Sequence, residues 1–408
     1  MLNLSRSTAC VAALIVAAAL AAPAAAAVSS PQGPARTVSI DRDAYADDTS
    51  AVAALQSAID AGGDVVVNGT FVVPFGQSLF VGRYGNDVAI RASKDGATLV
   101  GGTRTLSQIA PVRMTVSGIA ISASQASYIY VGQTSGSTVR DCVMTGLQRL
   151  AGAGTVGLFV DRVPAAAAPV DVVVEDNLID AGDAQWTMTA MNNAVVVNGV
   201  VAELQATIRG NRIQAAQTAG IFVNDSAGDY AIEKNHVSLQ GQRDRGPFLW
   251  SLGIWGRSAS RAMASFTVTN NDVDVMNSVA AIGYGNFLVD AAQPPNVLVA
   301  NNRVRIVSGV LSVLLLHGNV DGSTWRHNVI TGSAPNAVAL IPAGFGIAES
   351  NLFQQNAIEI ALLDAQAHPM FPPVPESHVY FGVGANDNLA RGCRDLSVVD
   401  LGVGNTIR

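Results

Sequence analysis

Four aspartates in this chain, Asp161, Asp183, Asp225 and Asp244, are the acids that a sugar-cleaving reaction would draw on. Glycoside hydrolysis uses two carboxyl groups, typically about 5–9 Å apart, one as acid and one as base or nucleophile. A second set, Arg243, Arg245, Arg257 and His317, suits β-elimination of a uronic acid. That reaction needs a base for the proton beside the sugar carboxylate and a positive group to neutralise that carboxylate. C5-epimerisation uses the same groups. Calcium could also neutralise it, but hard cations want clustered oxygens. Asp183, Asp225 and Asp229 are scattered, so no metal ligand set is read and no cofactor is evident.

Composition narrows the setting of these residues. Arg6 precedes an almost wholly apolar, small-residue run over 11–27 that ends in four alanines. This reads as a secretory signal peptide, residues 1–27, and the expected location is secreted or periplasmic. Apolar runs further on, such as Val310–Leu316, are too short to cross a bilayer, so no membrane association is expected. The net charge is −7 and Lys94 and Lys234 are the only lysines, so nucleic-acid binding has no electrostatic support. The acidic balance also counts against a polyanionic substrate unless arginines gather locally. Cys142 and Cys393, the two cysteines beyond the signal, form no metal or disulfide motif.

The elements that must position these residues emerge from a repeat. A short alternating apolar strand, an Asn and a second short strand recur around Asn177, Asn211, Asn235, Asn271, Asn302, Asn328 and Asn351. Cys142 and Gly118 take the Asn place upstream. The intervals are 34, 24, 36, 31, 26 and 23 residues: a constant coil with insertions of variable length, as a solenoid permits. Asn tolerates the left-handed backbone of a sharp turn. Its amide can then bond to the Asn one coil away, about 4.8 Å along the stack. A third strand is read at 157–161, 194–198, 220–225, 253–257, 281–286, 314–319, 337–343 and 357–364. Upstream, Asp47-Asp48-Thr49 begins an amphipathic helix with Leu55 and Ile59 on one face, ended by Gly62-Gly63.

These coils and this Asn ladder resemble the pectin-lyase-like superfamily of right-handed parallel β-helices, over residues 40–405. The expected fold is all-β: about nine to ten three-strand coils over 65–408, with a closing C-terminal segment and residues 28–64 carrying an N-terminal capping helix. The resemblance implies that the ligand groove follows the third strand, walled by the long loops before it. With Ile221, Val223 and Ile254 inward, alternation turns Phe222, Asn224, Trp255 and Arg257 outward. Asp161 and Asn198 take the Asn224 place in earlier coils, and Tyr284 or Asn286 and then His317 lie near the same row in later ones. The long loops at 180–193 and 239–252 add Asp183, Trp186, Arg243, Arg245 and Trp250. Tryptophan platforms beside Asp, Asn and Arg suit sugar rings, with Asp161, Asp225, Arg257 and His317 as catalytic candidates.

The carboxylate triplet and glycine-histidine motif of the polygalacturonase-like hydrolases are absent; His317-Gly318-Asn319 is not that motif. Because the fold hosts many activities, two readings stand. One is a lyase or hydrolase acting on a polysaccharide. The other is a non-catalytic carbohydrate-binding or structural solenoid. Leu311, Val313, Leu340 and Pro342 are expected to form an outward apolar face on coils with short connections, suited to a homotrimer.

Overall fold

The computed structural model describes residues 36–148, 155–181, 192–216, 218–240, 251–288, 296–342, 348–364, 374–392 and 396–408. Residues 1–27, expected as a signal peptide, and Asp183, Trp186, Arg243, Asp244, Arg245, Trp250 and Cys393 lie outside these residues.

The described chain is a right-handed parallel β-helix. Short strands rich in Val and Ile alternate buried and exposed positions, because each coil turns one face of every strand inward. The first and second strands of successive coils form a continuous 23-stranded sheet, and the third strands form a 12-stranded sheet. All the ladders are parallel, so each coil hydrogen-bonds only to its neighbours. The interior is one stack of aliphatic and aromatic side chains, including Val197, Val223, Phe266, Tyr284 and Trp325.

The third-strand sheet carries the candidate site. Its strands are β1 (Leu79–Val81), β2 (Arg104–Gln108), β3 (Ser127–Val131), β4 (Thr155–Asp161), β5 (Asn192–Asn198) and β6 (Ala219–Asn224). They continue as β7 (Leu252–Ser258), β8 (Ala280–Asn286), β9 (Ser312–Gly318), β10 (Asn336–Ile341), β11 (Ser377–Phe381) and β12 (Val398–Asp400).

A helix over Asp48–Ala61 packs Ala51, Val52, Leu55, Ala58 and Ile59 against the first strands. Asp47 caps it by accepting from the Ser50 amide at 2.7 Å. Gly62, at φ 74°, ends it where an added Cβ would lie 2.6 Å from the Asn86 side chain. No helix among the described residues is long and apolar enough to cross a membrane.

The Asn ladder forms, with two corrections. Each Asn accepts from the side-chain amide and the backbone N–H of its neighbour, at 2.9–3.1 Å between Asn177 and Asn211. The chain runs on through Asn235, Asn271, Asn302 and Asn328. The next rung is Asn356, not Asn351. Asn351 belongs to a second ladder with Asn388 and Asn405, at the corner before the first strand, where Ser323 stands one coil earlier. The left-handed residue is also the one before each ladder Asn: Asp176, Gly210, Lys234, Asn270, Asn301 and His327 all have φ between 55° and 65°. Gly118, at φ 68°, therefore occupies the turn position, and Ile119 the ladder position. Cys142 does pack inward, and burial pushes its thiol up to about 11.

The strand Ala357–Leu362, expected as a third strand, pairs with Val329–Ala334 in the large sheet. Ser377–Phe381 takes the third-strand place instead. Leu311, Val313, Leu340 and Pro342 are all buried. Val313 and Leu340 point into the coil interior, so these four residues form no exposed apolar face.

Candidate functional site

Strand register brings the expected polar residues into one outward row. Asp161 of β4 pairs with Asn198 of β5, Asn198 with Asn224 of β6, and Asn224 with Arg257 of β7. Beyond Arg257 the row passes through Gly285 of β8 to His317 of β9. Side chains two residues apart on a strand share a face, so this row lies beside a second outward row: Phe80, Ser107, Tyr130, Phe159, Val196, Phe222 and Trp255.

The polar row is hydrogen-bonded from one end. Tyr130 donates to Asp161 Oδ2 at 3.2 Å, Asn198 donates to Asp161 Oδ1 at 3.0 Å, and Asn224 donates to Asn198 Oδ1 at 2.7 Å. Desolvation, then the Asp161 charge, raises the Tyr130 pKa, which keeps its phenol a donor. Arg104 lies over the Tyr130 ring, 3.6 Å from its centroid. The chain of donors stops at Asn224, whose Oδ1 is buried without a hydrogen bond, as is the neighbouring Arg257 Nε.

Arg257 is partly desolvated, and burial lowers its pKa against the opposing pull of Asp225. Its guanidinium faces the Phe287 ring at 5.3 Å. His317 packs edge-on against the same ring, at 4.8 Å between centroids. Burial, then the Arg257 charge, lowers the His317 pKa to about 4, so the imidazole is neutral at pH 7.

Asp225 does not join this row as a free carboxylate. It sits in a left-handed turn at φ 47° and accepts from the backbone N–H groups of Ala259, Ser260 and Arg261 and from the Ser260 hydroxyl. Arg261 pairs with it at 3.4 Å. Burial alone would raise its pKa, but the Ser260 hydroxyl and these amides outweigh that and hold it below the usual carboxylate value. Asp225 thus anchors the turn after β7, with Arg261 as its ion-pair partner. Asp229 likewise accepts from Ser265 at 2.5 Å.

Two expected sugar contacts are corrected. Tyr284 points into the coil interior, where its hydroxyl meets Ser258 Oγ at 2.9 Å and its ring fills the space beside Gly256. Trp255 does face outward but is only 1% exposed. Its indole lies over the backbone of the next coil, where an added Cβ at Gly283 would fall against the ring. Trp255 joins Leu315, Ala339, Ile341 and Tyr380 in a second apolar cluster outside the coil interior.

Sequence reasoning missed Tyr130 and Arg104. The alternation in Ser127–Val131 was the available signal, since continuing the Phe159 row one coil back lands on Tyr130. Among the described residues no cluster of His, Cys, Asp and Glu is arranged to hold a metal.

No family profile matches the chain, and no curated protein matches it. Among solved structures it is similar to DFA-IIIase from Arthrobacter chlorophenolicus A6 in complex with GF2. That similarity has 12% identity and a TM-score of 0.39, covering 84% of this chain and 88% of the other. It is also similar to the Dettilon tailspike protein (gp208), with 12% identity and a TM-score of 0.40 over 91% of this chain and 68% of the other. No residue role is carried over from either.

Proposed function

We propose that this protein is an exported, carbohydrate-active β-helix that engages a polysaccharide along the row Asp161–Asn198–Asn224–Arg257. The observation that carries the reading is the outward row of partly exposed polar side chains on three successive coils, Asn198, Asn224 and Arg257. An acceptor beside a cationic donor complements a sugar that offers a hydroxyl next to a carboxylate or another hydroxyl.

Within that reading, elimination fits the described residues better than hydrolysis. The row holds one carboxylate, Asp161, because Asp225 is engaged by Ser260, Arg261 and three backbone amides. Arg257 supplies positive charge that forms no ion pair among the described residues, which suits neutralisation of a uronate carboxylate. His317, neutral at pH 7, supplies a base two rungs away, about 9.6 Å along the stack. The base takes the C5 proton, the C4=C5 double bond forms as the C4–O bond breaks, and the departing oxygen takes up a proton from water.

A non-catalytic binding role is the second reading. His317 is 2% exposed and Trp255 is 1% exposed, which favours it. The test is to incubate purified mature protein with neutral and uronic polysaccharides, with and without calcium, reading absorbance near 235 nm and reducing ends together. Absorbance that disappears in Arg257→Gln supports elimination. Reducing ends alone point to hydrolysis and to Asp161. Binding without either product establishes the non-catalytic reading.

A further inference from the structure

The outward face of the second strands carries an ordered charge pattern. Six of these strands stack in succession: Arg212–Ala216, His236–Gln240, Asp272–Met276, Arg303–Val307, Val329–Ala334 and Ala357–Leu362. They span five rungs, about 24 Å along the axis. Val273, Val275, Val304 and Ile306 point into the core, so alternation turns their neighbours outward. One outward row runs Arg212, His236, Asp272, Arg303, Val329 and Ala357, all exposed. The next runs Ser238, Asp274, Arg305, Thr331 and Glu359. In a third row Met276, 43% exposed, stands beside Val307.

The pattern inverts about a line between the two central strands. Asp272 and Asp274 lie on one side of it, and their register partners Arg303 and Arg305 lie on the other. Further out, His236 and Ser238 correspond to Val329 and Thr331, and Arg212 on one flank is balanced by Glu359 on the other. A half-turn about an axis along the strands, in the plane just outside this face, therefore sets both aspartates against arginines of a second copy. Within these rows it sets no like charges opposite each other. Such self-complementarity is what a two-fold interface requires.

We propose that this face is an interface through which two copies of the chain pair face to face, with their solenoid axes antiparallel. The net charge of −7 repels one copy from another, so association needs a place where opposite charges meet. Arg303 forms no ion pair among the described residues, and it meets Asp272 of the second copy. Asp274 already lies 3.2 Å from Arg305 of its own chain, and Asp272 lies 3.3 Å from His236. Exposed pairs of this kind add little to folding. A second copy laid over them excludes water and gives each aspartate another cation, which strengthens the attraction. Met276 covers Val307 of the second copy and adds apolar contact. The third-strand sheet that carries the candidate site takes no part.

The test is sedimentation of purified mature protein over about 1–100 μM, in low salt and in about 0.5 M salt. The samples are wild type, Arg303→Glu, Asp272→Arg and an equimolar mixture of the two variants. Either substitution alone places like charges opposite each other in a pair of identical copies. The mixture sets aspartate against arginine at one contact and glutamate against arginine at the other, while each chain keeps its own internal charges. The expected result is a wild-type dimer, weakened about tenfold or more by salt and by each single variant, and recovered to within about threefold in the mixture. Both replaced side chains are exposed, and thermal unfolding checks that each variant folds. A wild-type monomer across the whole range, single variants that pair as wild type does, or a mixture as weak as its components each overturn the interface.

Discussion

The two halves of one sheet face differ. On β1–β6 the outward row Phe80, Tyr130, Phe159 and Phe222 is partly exposed, and its neighbours are the polar side chains of Asp161, Asn198 and Asn224. On β7–β11 the same row continues as Trp255, Gly283, Leu315, Ala339 and Tyr380, and its large side chains are at most 6% exposed. The strand geometry is the same in both. Buried aromatic area in the second half contributes to stability, while exposed aromatic area in the first contributes little to it and is available to a ligand. Arg257 stands at the boundary, with the polar row on one side and Phe287 and His317 on the other.

The comparison can be broken by substitutions in either half. Trp255→Ala in the covered half removes a buried ring that fits over Gly283, and should cost about 3–5 kcal/mol in denaturant unfolding. A loss below about 1 kcal/mol would mean that this half is not a stabilising cluster.

The next effect is on pH. The folded state holds the His317 pKa near 4, below its unfolded value of 6.5, so between those values the unfolded chain binds a proton that the folded chain does not. Stability should therefore fall as pH drops from about 6.5 towards 4, by about 3 kcal/mol in all. His317→Gln should flatten that part of the profile, as read by urea midpoints at several pH values. An unchanged slope would place the imidazole in a wetter setting.

In the open half, Tyr130→Phe removes one hydrogen bond to Asp161 while keeping the ring under Arg104. The expected loss is about 1–2 kcal/mol. A larger reduction in ligand affinity would sharpen the contrast by showing that Tyr130 orients Asp161 for binding. The smallest effect is that of Phe75→Ala, within about 0.5 kcal/mol of wild type in thermal unfolding, since its ring is 75% exposed.

Much of the fold was legible because a solenoid repeats. The ladder from Asn177 to Asn328, the third strands up to 337–343 and the helix ended by Gly62-Gly63 all follow from periodicity and turn chemistry. Counting failed at the C-terminal end, where Asn351 and Asn356 lie five residues apart on different corners. Either one satisfies the spacing, and only the pairing of Leu352–Gln354 with Thr324–Arg326 separates them. The site was legible in part. Alternation placed Asp161, Asn198, Asn224 and Arg257 on one face because side-chain period on a strand is two. The same rule, carried from Ile282, turns Tyr284 inward.

By itself, then, the sequence determined the coil, the ladder and the facing of most side chains, because these depend on contacts between residues one coil apart. Tertiary structure alone decided which outward residues are reachable. Trp255 and Phe222 have the same facing, yet one is covered and the other is partly exposed. Asp161 and Asp225 are both aspartates at the ends of third strands, yet one joins a polar row and the other closes a turn. Trp255 is covered by residues two or more coils on, Leu315, Ala339 and Tyr380, and the Asp225 carboxylate is held by a turn outside the repeat, so no local pattern encodes either outcome.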